Sequence, residues 1–114
     1  MKSINVIMIR LSTKEEEVME IIWNTGNVFI RDIVAQMPEP KPSYNTVATQ
    51  VKFLEEKGFL VRKPMANSFQ YSPAFSEKEY RGQTILSMIS QFVEEEKMSL
   101  DEIKELITQI ENKR

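Results

Sequence analysis

Ser43, Tyr44, Asn45, Thr46, Thr49 and Gln50 crowd into one part of the stretch "PSYNTVATQVKFLEEKGFLVRK", residues 42 to 63. Each carries an uncharged hydrogen-bonding group, whereas the chain's other helical stretches place Glu and Lys on their polar faces. Amides and hydroxyls at helical spacing can address the donors, acceptors and methyl groups that base pairs present in the major groove, where a helix fits. Lys41, Lys52, Arg62 and Lys63 flank them, and cations so placed neutralise phosphates. The plainer alternative is that Ser43 and Asn45 cap the helix and Thr46 packs.

Other chemistry is poorly provided for. The 114 residues contain no Cys and no His, which removes thiol catalysis, disulfides, thiolate or imidazole metal sites and the usual general base at neutral pH. The three glycines form no phosphate-cradling loop. Nearly every carboxylate falls on a solvated helix face. An enzyme is not expected, and no motif implies a metal, a cofactor or a small-molecule ligand.

The net charge of −2 does not advertise nucleic-acid binding, but its distribution is uneven. Residues 1–73 hold nine Lys/Arg against eight Asp/Glu, and residues 74–114 hold six against nine. Within residues 41–63, five basic side chains (Lys41, Lys52, Lys57, Arg62, Lys63) stand against Glu55 and Glu56. Hydrophobic content of 41% and charged content of 28% suit a folded globular chain. No apolar run approaches the roughly 18 residues of a membrane span. "INVIMI" at 4–9 is too short for a signal-peptide core with its cleavage site, so a cytoplasmic location is expected.

The elements that must hold the polar face follow from periodicity and punctuation. Ser12 with Glu15 is a capping-box pattern, Val18, Met19, Ile22 and Trp23 recur at helical spacing, and Gly26 stops a helix over roughly 13–24. Ile30, Ile33, Val34 and Met37 predict a short helix to about 37, ended by "PEPKP"; Val28 before it could form a short strand. Ser43 caps a third helix to about 57, with Val47, Val51 and Leu54 facing the core and Gly58 closing it. "FLVRK" then reads as a strand in which Phe59 and Val61 share one face, "PMANS" as a connection and "FQYSP" as a second strand. Three helices and a hairpin are the pattern of a mainly helical α+β winged helix.

The tail differs. Ser76 with Glu79 and Ser99 with Glu102 are further capping boxes. Ile85, Met88, Ile89, Phe92 and Val93 stripe one helix over about 77–95. Leu100, Ile103, Leu106, Ile107 and Ile110 stripe another over about 100–112. Stripes this wide on short helices are expected to meet a partner, self-association being favoured over packing back on the same chain. The domains expected are therefore 1–75, a winged-helix DNA-binding domain, and 76–114, a helical dimerisation domain.

With these residues in view, the chain resembles the penicillinase-repressor family (BlaI/MecI/CopY) of bacterial winged-helix transcriptional repressors. The pieces that carry the likeness are "LSTKEEEVMEIIW", "SYNTVATQVKFLEEKGFLVR", "YSPAFSEKEY" and "FVEEEKMSLDEIKEL", covering residues 11–80 and 91–107 in register. The resemblance implies a homodimer held by the C-terminal helices. It implies a palindromic double-stranded DNA operator read by one recognition helix per half-site, and repression of genes for antibiotic resistance or a related stress or transport response. Carried over, the recognition helix is Ser43 to Lys57, and the wing strands flank residues 64–68.

Three departures qualify it. Family members usually carry a Gly-Arg pair at the wing tip, where this chain has Ala66 and Asn67; the tip loses a cation, with Arg62 and Lys63 available to compensate. The copper-responsive branch carries paired cysteines that are absent here. The segment between Ile85 and Gln91 is shorter than usual by about ten residues or more on the family pattern. In the β-lactam-responsive branch a membrane sensor protease cuts before a Phe, and the aligned bond is Gln91–Phe92. The N-terminal "MKSINVIM" is also longer than usual: Met8 could be the start, or Ile4 to Ile9 could add a strand. The rival to a repressor is a winged helix used as a protein-interaction module without specific DNA binding.

Overall fold

The computed structural model describes residues 10–114; the alternatives for Met8 and for Ile4 to Ile9 lie outside them. The chain divides into two compact units, the first closing at Tyr80 and the second running Arg81–Arg114. The first contains α1 (Thr13–Thr25), α2 (Ile30–Gln36), α3 (Tyr44–Glu56), β1 (Leu60–Met65) and β2 (Ser68–Pro73). This is the three-helix and hairpin architecture that the periodicities predict.

Local chemistry sets the element ends. Ser12 accepts the Glu15 N–H at 3.2 Å while the Glu15 carboxylate accepts the Ser12 N–H at 2.9 Å, which satisfies two orphan donors of α1. Gly26, at φ +95, ends α1 by donating to Ile22 O at 2.7 Å. The Asp32 carboxylate takes the Phe29 N–H at 2.9 Å at the head of α2. Gly58, at φ +85, follows α3.

The three helices bury one continuous set of side chains. Val18, Met19 and Ile22 from α1, Ile33 from α2, Val47, Val51 and Leu54 from α3, and Val28 are fully buried. Helices of 7 and 13 residues are marginal alone. Burial of each aliphatic side chain contributes about 1.5–3 kcal/mol, so this shared core is what holds α3 in place. Trp23 is half-buried; its Nε1–H donates to Phe75 O at 3.0 Å and its ring lies 5.4 Å from that of Tyr80. Val28 forms a bridge to Tyr71, the two exchanging N–H···O bonds of 2.7 and 2.8 Å, and so adds the short strand segment expected there.

The hairpin differs from the sequence expectation in two respects. Pro64 and Met65 are not connection but strand, paired with Phe69 and Ser68, so the tip is only Ala66 and Asn67. An outer strand tolerates proline because its N–H need not join a ladder. The strand alternation expected from Phe59 does not hold either, because β1 begins at Leu60. Phe59 precedes β1 and packs edge-on against Phe75 and Tyr80, at 5.0 and 5.7 Å between ring centroids, while Leu60 is buried and Val61 is exposed.

In the second unit, α4 (Glu77–Glu94, whose first turn lies in the first unit) is followed by α5 (Leu100–Asn112). Glu96, at φ +56, closes α4. Its N–H reaches Val93 O at 3.1 Å and the Lys97 N–H reaches Phe92 O at 3.0 Å, the paired bonds of a Schellman motif. Ser99 and Glu102 then form the capping box of α5.

Candidate nucleic-acid interface

The buried triad of α3 fixes what its other side presents. With Val47, Val51 and Leu54 inward, Asn45, Thr49 and Lys52 succeed one another at i, i+4 and i+7 on the outward face, and all three are exposed. Tyr44 flanks the same end and is 53% exposed; Gln50 is half-buried.

The six polar side chains separate into two groups. Ser43 is the N-cap: its Oγ accepts the Thr46 N–H at 3.1 Å and lies 2.9 Å from Thr46 Oγ1. Thr49 Oγ1 donates back to Asn45 O at 3.0 Å. These three hydroxyls serve the helix itself. Tyr44, Asn45 and Gln50 make no side-chain hydrogen bond among the described residues, so their phenol and amide groups are available to an external partner. The plainer reading thus fits Ser43 alone: Thr46 is exposed and bonds the cap rather than packing, and the Asn45 amide is not spent on a cap.

The cations separate in the same way. Lys41 Nζ lies against the C-terminal carbonyls of α2. Lys57 pairs with Glu15. Burial alone would push the Glu15 carboxyl up, but the Lys57 ammonium, with the N–H and hydroxyl of Ser12, outweighs it and holds the carboxyl below its ordinary range. Arg62 Nε lies 3.1 Å from Glu55 Oε2, with its guanidinium 4.3 Å above the Phe69 ring. Lys52 and Lys63 are exposed and have no ion-pair partner among the described residues. Asn67 is exposed at the hairpin tip beside Ala66, which is held at φ +55.

Two residues that the pattern did not single out share this unit. Phe53 is 50% exposed, four residues beyond Thr49 on α3; its place outside the Val47, Val51, Leu54 stripe was the available signal. Arg31 is exposed on the first turn of α2, its guanidinium 4.9 Å over the Phe29 ring. Among the described residues no cluster of acids could hold a metal ion and no helix is long and apolar enough to cross a membrane.

The stripes of the second unit are largely uncovered. Ile85, Met88, Phe92 and Val93 on α4 and Leu100, Leu106, Ile107 and Ile110 on α5 are exposed, Ile110 by 64%. Ile89 is half-buried. Ile103 is buried within the chain and presents little to a partner. Gln91 and Phe92 lie inside α4, near its end.

Comparison with known proteins identifies the family. Residues 11–112 match the family profile described as Penicillinase repressor. The methicillin resistance regulatory protein MecI of Staphylococcus aureus (strain N315) is 35% identical over 110 residues, spanning 84% of this chain and 89% of its own. The penicillinase repressor of Bacillus licheniformis is 26% identical over 110 residues, spanning 85% and 86%. Among solved structures, the DNA binding domain of the repressor BlaI aligns over 62% of this chain and 88% of its own, with TM-score 0.54 and 26% identity. The monomeric form of Bacillus licheniformis BlaI in complex with the blaP half-operator aligns over 63% and 89%, with TM-score 0.53 and 26% identity.

Proposed function

The chain belongs to the penicillinase repressor family, and from that premise we propose that it is a DNA-binding transcriptional repressor. It works as a homodimer on a palindromic operator and controls an antibiotic-resistance or related stress-response operon. The observation that carries this reading is the exposed front of α3, where Tyr44, Asn45 and Gln50 hold polar groups that nothing else in the described chain uses. An exposed helix face rich in unpaired amides and poor in charge suits base edges better than bulk water. Lys52 and Lys63 supply phosphate neutralisation, while Arg62 stays held by Glu55. Asn67 at the short wing tip supplies a neutral contact where the family's arginine would stand.

The exposed stripes of α4 and α5 are the proposed dimer interface, since apolar residues in such number seek a partner. Pairing two α3 helices on one operator gives each half-site the effective concentration of a tethered second. Cleavage of the Gln91–Phe92 bond by a membrane sensor protease is the corresponding release step. That bond is helical, and Phe92 O holds the C-terminal closure of α4, so the end of α4 must unwind before cutting.

The test is selection of bound fragments from a random duplex pool at near-physiological salt. An enriched inverted repeat with half-sites about one helical turn apart is expected. A folded protein that enriches nothing would overturn the DNA reading in favour of a protein-interaction module. Incubation with a cognate sensor protease that leaves Gln91–Phe92 intact would remove the release step.

A further inference from the structure

The turn from α2 to α3 offers few backbone donors to the end of α2. A helix leaves its last carbonyls without intrahelical partners, and the backbone N–H groups that follow commonly satisfy them. After Met37 the chain reads Pro38, Glu39, Pro40, Lys41, Pro42, and the prolines have no N–H to offer. The Lys41 N–H points to the Glu39 carboxylate, at 3.3 Å. Met37 is extended, at φ −72 and ψ 147, and its N–H turns back to Val34 O at 3.2 Å. No glycine stands at the end of α2 to make a left-handed closure.

What fills the gap is a side chain. Lys41 Nζ lies 2.8 Å from Ala35 O, 2.8 Å from Met37 O and 3.4 Å from Val34 O. An ammonium has three N–H donors and no acceptor, so its donors match these three carbonyls in number. The negative end of the α2 dipole lies at the same place and favours a cation there.

We propose that Lys41 is a positioning residue for α3 rather than a phosphate contact. Its ammonium meets Ala35 O and Met37 O, which no backbone N–H among the described residues bonds, and joins the Met37 N–H at Val34 O. Its own backbone lies two residues before Ser43, the N-cap of α3, so the bond to α2 sets where Tyr44 and Asn45 stand. The geometry is independent of ligand; the consequence for operator binding rests on the DNA-binding reading above.

The test compares Lys41→Met, which keeps the aliphatic stem and removes the donors, with Lys41→Arg, which keeps a cation. A guanidinium can also bond carbonyls at a helix C-terminus, so Arg should keep part of the cap as well as the charge, and Lys41→Met carries the test. Backbone relaxation and amide exchange over residues 36–43, without DNA, should report a loosened turn in Lys41→Met and a smaller change in Lys41→Arg. Affinity for the selected operator should fall by about tenfold in Lys41→Met, as loss of a charge-assisted hydrogen-bond set implies. Affinity for random duplex should change by less than about twofold and the salt slope should stay as in the unsubstituted protein, because no phosphate contact is lost.

Two results would overturn the proposal: a slope shallower by about 0.9 per half-site in Lys41→Met, or a loosened turn with operator affinity unchanged. If the unsubstituted protein selects no operator, the DNA reading fails, and amide exchange in Lys41→Met still decides the cap: an unloosened turn refutes it.

Discussion

Glu55→Gln should strengthen DNA binding by releasing Arg62. In the free protein the guanidinium is held by Glu55 Oε2 at 3.1 Å and by the face of Phe69. Both partners are partly exposed, so the ion pair stabilises the fold by at most about 1 kcal/mol and its removal leaves the protein folded. Counting all five cations of residues 41–63 would predict a slope of log affinity against log salt of about −4.5 per half-site. With Lys41, Lys57 and Arg62 held by partners within the chain, Lys52 and Lys63 remain, and the slope becomes about −1.8. A released Arg62 adds one phosphate contact, which steepens the slope by about 0.9 and raises affinity about fivefold per half-site at roughly 0.15 M salt. Fluorescence anisotropy of a labelled half-site duplex, titrated across salt, measures both. Arg62→Met and the double variant complete a cycle that separates the release of Arg62 from the loss of a negative charge. Arg62→Met should matter little in the native background and should remove the gain in the Glu55→Gln background. An unchanged slope in Glu55→Gln, or a native slope near −4.5, would refute the reasoning, since cations paired inside the free chain would then be reaching phosphate.

Ala66→Gly should stabilise the first unit by about 1 kcal/mol, because Ala66 sits at φ +55 where a Cβ is penalised and glycine is not; a denaturant midpoint that fails to rise at constant m would contradict this. Asn45→Ala should weaken binding to the selected operator more than to random duplex, since its amide has no partner among the described residues; equal losses would make Asn45 a helix-positioning residue. Lys57→Met should let the Glu15 carboxyl rise toward its ordinary value near 4.5. The sign follows from linkage: a carboxyl held low in the folded state contributes stability that is present above its unfolded value and lost as pH falls through the folded one. The unsubstituted protein should therefore lose more stability on acidification from about pH 5 to about pH 3 than Lys57→Met does, as read by chemical denaturation; equal losses would mean that Glu15 gains nothing from Lys57.

Most element boundaries were legible because their signals are local. Ser12 with Glu15 and Ser99 with Glu102 mark helix starts within four residues of sequence, and Gly26 and Gly58 mark ends by conformations that favour glycine. The core face of α3 was legible from the spacing of Val47, Val51 and Leu54 alone. The hairpin was legible in kind but not in register, since Pro64 reads as a breaker unless one knows that β1 is the outer strand. The pairings of the charged groups were not legible. Lys57 meets Glu15 across 42 residues, Arg62 meets Glu55 across a turn, and Lys41 turns back on the end of α2. Each residue type announced a cation; only the packing decided whether that cation was already used.

That distinction bears on how a chain of net charge −2 would discriminate among DNA sites. Phosphate contacts give affinity without sequence information, and base contacts give discrimination. On the proposed reading, a site that keeps few cations free would hold random duplex weakly, and the share of affinity assigned to Tyr44, Asn45 and Gln50 would rise. The cost is a single half-site bound too weakly to persist, which makes occupancy depend on two half-sites being engaged together. On this reading the exposed stripes of α4 and α5 are as necessary to operator binding as α3 itself. A change that separates them, or unwinds α4 at Phe92, would release the operator without touching a residue that reads it.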